Sequence, residues 1–198
     1  MAHVYSCRGG FKGHVFRRIF HVLTFTFVPV LYYKYTYFRV FSFRLKMDAL
    51  MLFVLGLVMI LEFVRIKCRC VVFAMRDYEE NQLSALAWGA MSLVLALLLS
   101  PSSAIAYALC FSAAIVDPMV GEMKRKQPLH VVYTAASVVS LLVWGLSAFY
   151  FGFSYWLALI CGLLTVLSEY PQVPYLDDNF LMIFIPLVFV LGSPGLGL

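Results

Sequence analysis

The sequence predicts an all-α fold, a polytopic bundle of about seven transmembrane helices. Hydrophobic residues make up 63% of the 198 residues and charged residues only 13%. The mean hydropathy of +0.91 is far above that of a soluble globular domain. The apolar residues fall into runs that approach the length needed to cross a bilayer, about 20 residues for a helix. No long polar segment remains, so residues 1–198 are predicted to form a single integral membrane domain.

Seven apolar runs, separated by polar segments, account for the predicted spans. They cover residues 19–37, 47–64, 83–99, 104–116, 131–149, 154–167 and 180–191. A basic N-terminal segment precedes the first run, but the run lacks the short hydrophobic region and small-residue cleavage site of a signal peptide. Among the five cysteines, Cys68 and Cys70 are separated by one residue, which fits neither a zinc nor a redox pair. Free thiols are therefore predicted.

The distribution of charge predicts where a polar site lies. In a membrane protein, an excess of Lys and Arg reflects cytoplasmic loops and anionic headgroups, so the net charge of +5 does not indicate a nucleic-acid partner. With the N-terminus inside, 11 of the 15 Lys and Arg residues and 9 of the 10 acids fall on one side. The positive-inside rule explains the bases but not the acids. This pattern predicts one polar site at the cytoplasmic mouth of the bundle.

The densest polar segment covers residues 117–128. Asp117 ends the fourth span, Glu122 follows it, and a basic triplet begins with Lys124 and Arg125. A loop that fixes topology explains the bases. A site in which carboxylates hold Mg²⁺ and cations neutralise phosphate explains the acids as well. From the residues alone, both interpretations stay open.

A second polar segment covers residues 169–179 and carries acids without a base. It contains Glu169, two prolines, and the sequence Asp177-Asp178-Asn179 at the start of the last span. An N-cap accounts for one of these last three residues. Capping does not account for all three, and we predict that Asp117 and the Asp177-Asp178-Asn179 cluster meet around one Mg²⁺-nucleotide site.

Three further groups of polar residues lie at span ends, each with a plainer interpretation. Glu62 and Arg65 neutralise each other as a helix leaves the bilayer, or both point into a polar cavity. Residues 67–82 form a solvated amphipathic segment on the surface. Arg18 and His21 share a helix face, where the histidine is an ordinary interfacial residue or part of the site.

Five short motifs occur in order along the chain: Arg17-Arg18-Ile19-Phe20-His21, Glu62-Phe63-Val64-Arg65, Arg76-Asp77-Tyr78-Glu79, Val116-Asp117-Pro118, and Glu169 followed by Leu176-Asp177-Asp178-Asn179. This ordered set resembles the membrane-embedded CTP-dependent lipid kinases, the group of dolichol, phytol and diacylglycerol kinases. Typical members carry a longer stretch after the aspartate, with a Lys-Thr-x-Glu-Gly-Ser element. Here the loop closes at Pro128, which indicates a short, divergent member and leaves another donor or acceptor open.

The resemblance implies a kinase that transfers phosphate from CTP, with Mg²⁺, to a lipid alcohol such as a polyprenol. It implies the following roles: catalysis by Asp117, Glu122 and Glu169; phosphate binding by Arg18, Arg65, Arg76, Lys124 and Arg125; metal binding by Asp117, Asp177, Asp178 and Asn179; and support from His21, Glu62 and Glu79. Membrane lipids and a nucleoside triphosphate are the expected partners.

Two other functions stay open. A cytidylyltransferase that forms a CDP-lipid needs the same metal and basic groups but attacks the α-phosphate of CTP. A transporter or a structural membrane subunit would use these charges as gates or anchors. The sequence argues against a transporter, because no predicted span carries an ionisable residue at its centre and no inverted repeat is apparent.

Overall fold

The computed structural model describes residues 7–40, 43–170, 173 and 175–193, and within them the chain is a helical bundle with one short hairpin. Its elements are α1 Gly10–Lys34, β1 Tyr37–Val40, β2 Phe43–Lys46, α2 Met47–Lys67, a 3₁₀ helix Asp77–Asn81, α3 Ala85–Leu99, α4 Ser103–Met123, α5 Leu129–Phe151, α6 Tyr155–Glu169 and α7 Asp178–Gly192. The predicted helical fold is confirmed.

Four of the helices, α1, α2, α4 and α5, are long and apolar enough to cross a membrane. Helices α3, α6 and α7 have 15 residues each. At a rise of 1.5 Å per residue, such a helix is about 22 Å long, which is shorter than the hydrocarbon core of about 30 Å. Seven spans therefore stay a prediction, whereas membrane association follows from the four long helices.

The basic connection between the first two spans is a hairpin rather than an irregular loop. Strands β1 and β2 pair antiparallel, with Tyr37 opposite Lys46 and Val40 opposite Phe43. Aromatic and β-branched residues are common in this segment, and these residue types favour strands. The hairpin lies at the end of the bundle opposite the polar segments, where the Tyr32 hydroxyl donates a hydrogen bond to Asp48.

Helix α4 lies at the centre of the bundle. It packs against α1, α3, α5, α6 and α7. In its most apolar stretch of 18 residues 67% are buried, compared with 11% in the corresponding stretches of α1 and α2. Small residues permit this close packing, and Ala106, Ala108 and Ala113 are fully buried. Most side chains of α4 are therefore held between neighbouring helices.

Helix α4 does not end at Asp117, so the predicted end of the fourth span is wrong. The helix continues through Pro118 to Met123, although proline is unfavourable inside a helix and restricts the residue before it. Val116 and Val120 flank the proline and are fully buried in a second apolar cluster. Their burial offsets the cost of the proline, and it keeps the following turn helical.

Helix α1 begins earlier than the apolar pattern predicts. The first span was placed from Ile19 onward, but the helix starts at Gly10. His14, Arg17 and Arg18 are consequently helical residues with fixed directions. The first turns of α1 are polar, and they pack on the last turns of α4 through the ion pairs described below.

Candidate functional site

One end of the bundle brings together most of the predicted site residues. We call it the polar end. It comprises the start of α1, the end of α2, the 3₁₀ helix, the ends of α4 and α6, and the start of α7. Six ion pairs lie at this end. Four join different elements, Arg18 with Asp117, His14 with Glu122, Arg17 with Glu79 and Lys124 with Glu169, and two are local pairs three residues apart, Arg65 with Glu62 and Arg125 with Glu122.

Asp117 is the innermost acid of α4 at the polar end. Its side chain is buried, and Arg18 Nη1 donates a hydrogen bond of 2.8 Å to Asp117 Oδ2. His21 Nε2 lies 3.6 Å from the same oxygen and 3.3 Å from the carbonyl oxygen of Ala113. Arg18 and His21 of the first motif, on α1, thus contact the aspartate of the fourth motif, on α4.

Arg18 reaches Asp117 because Gly121 has no side chain. A Cβ built on Gly121 would lie 1.9 Å from Arg18 Nη2 and 3.0 Å from its Cζ, closer than atoms approach without bonding. The guanidinium therefore occupies the space that a side chain at this position would fill. Sequence reasoning assigned no role to this glycine, and only the packing of α1 on α4 reveals it.

Glu122 lies about one and a half helical turns beyond Asp117. Its side chain is half exposed. Its Oε1 lies 2.8 Å from Nε2 of the buried His14, and its Oε2 accepts a hydrogen bond of 3.2 Å from Arg125. Arg18 Nε is 4.0 Å from Glu122 Oε1. His14 was missed by sequence reasoning, because it was placed before the first span.

Glu169 and Lys124 form a second acid-base pair at the polar end. Lys124 Nζ donates a hydrogen bond of 2.7 Å to Oε1 of the buried Glu169. Burial by itself would lower the pKa of Lys124, but the bonds to Glu169 and to Tyr133 outweigh it and raise the pKa above its ordinary value. Lys124 is thus held as a cation between α5 and α6.

Glu79 holds Arg17 in place, and the supporting role at the site predicted for Glu79 stays a prediction. Glu79 is fully buried in the 3₁₀ helix, and its Oε1 accepts a hydrogen bond of 2.8 Å from Arg17. The backbone N–H of Arg76 donates to the other oxygen at 3.2 Å. The Arg76 side chain donates to the Tyr78 hydroxyl at 2.6 Å, and its predicted role in binding phosphate stays a prediction.

Arg65 makes five hydrogen bonds within the protein, which indicates a structural role, and its predicted role in binding phosphate stays a prediction. Two of its bonds go to Glu62, at 3.1 and 2.9 Å. The others go to the carbonyl oxygens of Cys70, Glu79 and Gln82. All five N–H groups of the guanidinium are thus occupied. Glu62 accepts two of these bonds from Arg65, and it also accepts two hydrogen bonds from Ser84.

The start of α7 carries the predicted metal ligands. Asp177 is the N-cap and accepts hydrogen bonds from the backbone N–H of Asn179 at 3.0 Å and from its Nδ2 at 2.7 Å. Burial raises the pKa of Asp177, and the adjacent charge of Asp178 raises it further. Arg17 opposes this rise, and Asp117 adds to it. Helices α4 and α7 pack on each other, so Asp117 and Asp177 lie within electrostatic reach.

The described residues contain no group of three His, Cys, Asp or Glu side chains that could hold a metal ion. Asp117 forms an ion pair with Arg18, and its meeting with the aspartates of α7 around one Mg²⁺ stays a prediction. However, Mg²⁺ in phosphoryl-transfer sites is usually bound by one or two carboxylates, with waters and substrate phosphates. Asp177, Asp178 and the Oδ1 atom of Asn179, which is buried without a hydrogen-bond partner, fit this kind of site.

Three buried polar atoms at the polar end have no hydrogen-bond partner. They are the donor Arg18 Nε and the acceptors Glu169 Oε2 and Asn179 Oδ1. A buried atom of this kind costs about 1 to 3 kcal/mol unless a partner satisfies it. A donor requires an anion or other acceptor, and the acceptors require a cation or a donor. Phosphate together with Mg²⁺, or a hydroxyl group, would supply an acceptor for Arg18 Nε and a cation or donor for the two oxygens.

Comparison with family models, curated proteins and solved structures gives no match to this chain. The geometry of the polar end is therefore the structural basis for a function. The resemblance of the motifs to the CTP-dependent lipid kinases supplies the specific hypothesis, a lipid kinase.

Proposed function

We propose that the chain is a membrane lipid kinase that transfers the γ-phosphoryl group of CTP to the hydroxyl of a lipid alcohol. The observation that carries this proposal is that residues of four motifs form ion pairs between elements at the polar end. Arg18 and His21 meet Asp117, Arg17 meets Glu79, and Lys124 meets Glu169. Residues that only anchored loops in the cytosol would have no reason to pair across helices.

The charges of this cluster suit phosphoryl transfer. In such reactions the protein positions the reactants and stabilises charge on the phosphoryl oxygens. Arg18 and Arg125 are the cations nearest to Glu122, and Arg18 has an unused donor. When bound, Mg²⁺ would neutralise charge on the triphosphate, and Asp177, Asp178 and Asn179 are the residues that would hold it.

The reaction breaks the bond between the γ-phosphorus and its bridging oxygen and forms a bond from that phosphorus to the lipid oxygen. CDP leaves with the bridging oxygen, and the hydroxyl proton passes to a carboxylate. Glu122 and Glu169 are the two candidates for this base. Asp117 aligns Arg18 by its bond of 2.8 Å and thereby fixes a cation beside the base.

The proposal is tested with purified protein, a panel of lipid alcohols, and CTP labelled at either the α- or the γ-phosphate. Label from the γ-position in the lipid supports the kinase. Label from the α-position identifies a cytidylyltransferase, and label from neither, with ATP also inactive, contradicts both enzymes. The panel includes lipid phosphates, which are the acceptors for a cytidylyltransferase.

Asp117→Asn provides the matched variant for this assay. We expect turnover to fall by about 100-fold or more, because the amide keeps the volume but no longer holds Arg18 by charge. Asp48→Asn is the control, since Asp48 lies at the hairpin end. Equal activity of Asp117→Asn and the wild type would contradict the assignment of the site.

A further inference from the structure

Helix α4 has one accessible stripe, and this stripe leads to Glu122. Between residues 104 and 122, most positions of α4 are buried. Tyr107, Phe111 and Ile115 are accessible and recur every four residues, so they share one helix face. Glu122 follows Ile115 by seven residues, which is close to two full turns. An otherwise enclosed helix thus presents one apolar stripe that ends in a carboxylate.

The stripe forms the floor of a groove. Helices α1 and α5 both pack on α4 but make no extensive contact with each other. Two adjoining cavities share the residues Phe111, Leu146 and Ser147. The first, of about 400 Å³, lies between α4 and α5, and the second, of about 310 Å³, is also lined by α1. Thr26 of α1 and Ile115 line the second cavity. The lining is almost entirely apolar, and the Ser147 hydroxyl bonds back to its own helix.

The groove is open along its side, at the exposed residues of α5, and its two ends differ in chemistry. Leu146 is 65% exposed and Tyr150 81% exposed, so the side opening is apolar. At the hairpin end, Phe151 stacks on Tyr107 with ring centroids 5.6 Å apart. At the polar end, Glu122 is surrounded by His14, Arg125 and Arg18. From Tyr107 to Glu122 the stripe extends roughly 22 Å along the helix.

We propose that this groove binds the hydrocarbon chain of a single-chain lipid alcohol and delivers its hydroxyl to Glu122. The inference rests on the proposed kinase function, and it identifies Glu122 rather than Glu169 as the base. Glu169 is buried and accepts a hydrogen bond from Lys124, whereas the side chain of Glu122 lies on the α4 stripe and is half exposed. The groove follows one helix face, which fits one chain better than the two chains of a diacylglycerol.

A photoreactive probe tests the groove without relying on catalysis. The full-length protein in phosphatidylcholine nanodiscs is irradiated with a long-chain alcohol that carries a diazirine near the end of its chain. We expect cross-links at Phe111, Ile115 and Leu146, reduced by excess polyprenol but not by dioleoylglycerol. Equal labelling of the groove and of the exposed face of α2 would show annular lipid only and overturn the proposal.

Bulky substitutions in the groove provide the second measurement. Ile115→Trp and Leu146→Trp should lower groove labelling by about tenfold, or about 1.4 kcal/mol, which corresponds to fewer than two buried methylene groups. Ile60→Trp and Leu57→Trp are matched controls on the exposed face of α2 and should label as the wild type does. Thermal unfolding confirms that all four variants are folded. Undiminished labelling in both groove variants contradicts the proposal.

Failure of the groove and failure of the kinase are distinguishable. Specific labelling of the groove, together with no phosphate transfer from any nucleotide, retains the lipid site and rejects the kinase. Phosphate transfer to a polyprenol with unspecific labelling retains the kinase and rejects the groove. If both hold, Glu122→Gln should abolish transfer while leaving the labelling unchanged, whereas unchanged transfer would exclude Glu122 as the base.

Discussion

At the scale of single residues, Gly121 has the clearest consequence for the site. A methyl group at this position would occupy the place of the Arg18 guanidinium, and that guanidinium is the far end of a flexible side chain. We expect Gly121→Ala to displace Arg18 from Asp117 and to lower turnover by about 100-fold, the usual effect of a misplacement of 1 Å. Stability should stay within about 1 kcal/mol of the wild type, because alanine favours the helix.

The control for this prediction is Gly145→Ala in α5. A Cβ on Gly145 meets nothing within 4 Å, so the substitution should leave turnover unchanged. Turnover assays and thermal unfolding of both variants make the measurement. Full activity in Gly121→Ala would show that the Arg18–Asp117 pair does not matter for catalysis.

Arg65 illustrates the opposite case, a charged residue at a span end with a structural role. Its removal leaves Glu62 buried without its cation, and we expect Arg65→Ala to lower the free energy of unfolding by about 3 kcal/mol. Replacing both residues by apolar ones should restore part of that loss. Thermal unfolding in detergent is the measurement. A stable Arg65→Ala variant with weakened binding of CTP would instead return Arg65 to the phosphate site.

At the scale of elements, the start of α7 couples metal binding to pH. The pKa of Asp177 is raised in the folded protein, so the folded state binds this proton more tightly than the unfolded state does. Stability therefore falls as the pH rises from the ordinary value of 3.8 toward the raised value. A bound cation favours the charged form. We expect Mg²⁺ to raise the melting temperature more at pH 8 than at pH 5.

Asp177→Asn separates this effect from helix capping, since asparagine caps a helix as well as aspartate does. The variant should be more stable than the wild type at pH 8 without Mg²⁺, and its response to Mg²⁺ should be lost. Asp48→Asn should keep the full response. A Mg²⁺ response that is the same at both pH values in the wild type would contradict binding at this site.

The elements also show how far the sequence predicts the site. The composition and apolar runs predict a helical membrane protein, and the motifs predict most of the charged residues that meet at the polar end. The extents of α1 and α4 were wrong, since apolar pattern alone does not reveal that polar turns continue a helix when ion pairs and buried valines hold them. His14 and Gly121 gain their roles only from those extensions, which is why the sequence did not indicate them.

At the scale of the whole molecule, the bundle separates its charges by end. Every ion pair of the polar end lies in elements that the sequence places on one side, and the hairpin lies at the other end. Asp117, Glu122, Glu79 and Glu169 pair with bases of other elements, which accounts for acids that the positive-inside rule alone does not explain. If the polar end lies at the membrane surface, a water-soluble nucleotide would reach it from the aqueous side and a lipid would reach it from the bilayer.

This arrangement predicts a topology with the polar end in the cytosol and the hairpin outside. Cys68 and Cys70 are exposed thiols at the end of α2, on the polar side, and Arg44 is an exposed residue of the hairpin. A membrane-impermeant maleimide should leave the wild type unlabelled in intact cells and label it after permeabilisation. Arg44→Cys, with both native thiols replaced by serine, should label in intact cells. The reverse pattern would place the polar end outside, away from cytosolic CTP, and labelling of both positions in intact cells would contradict the threading of the bundle.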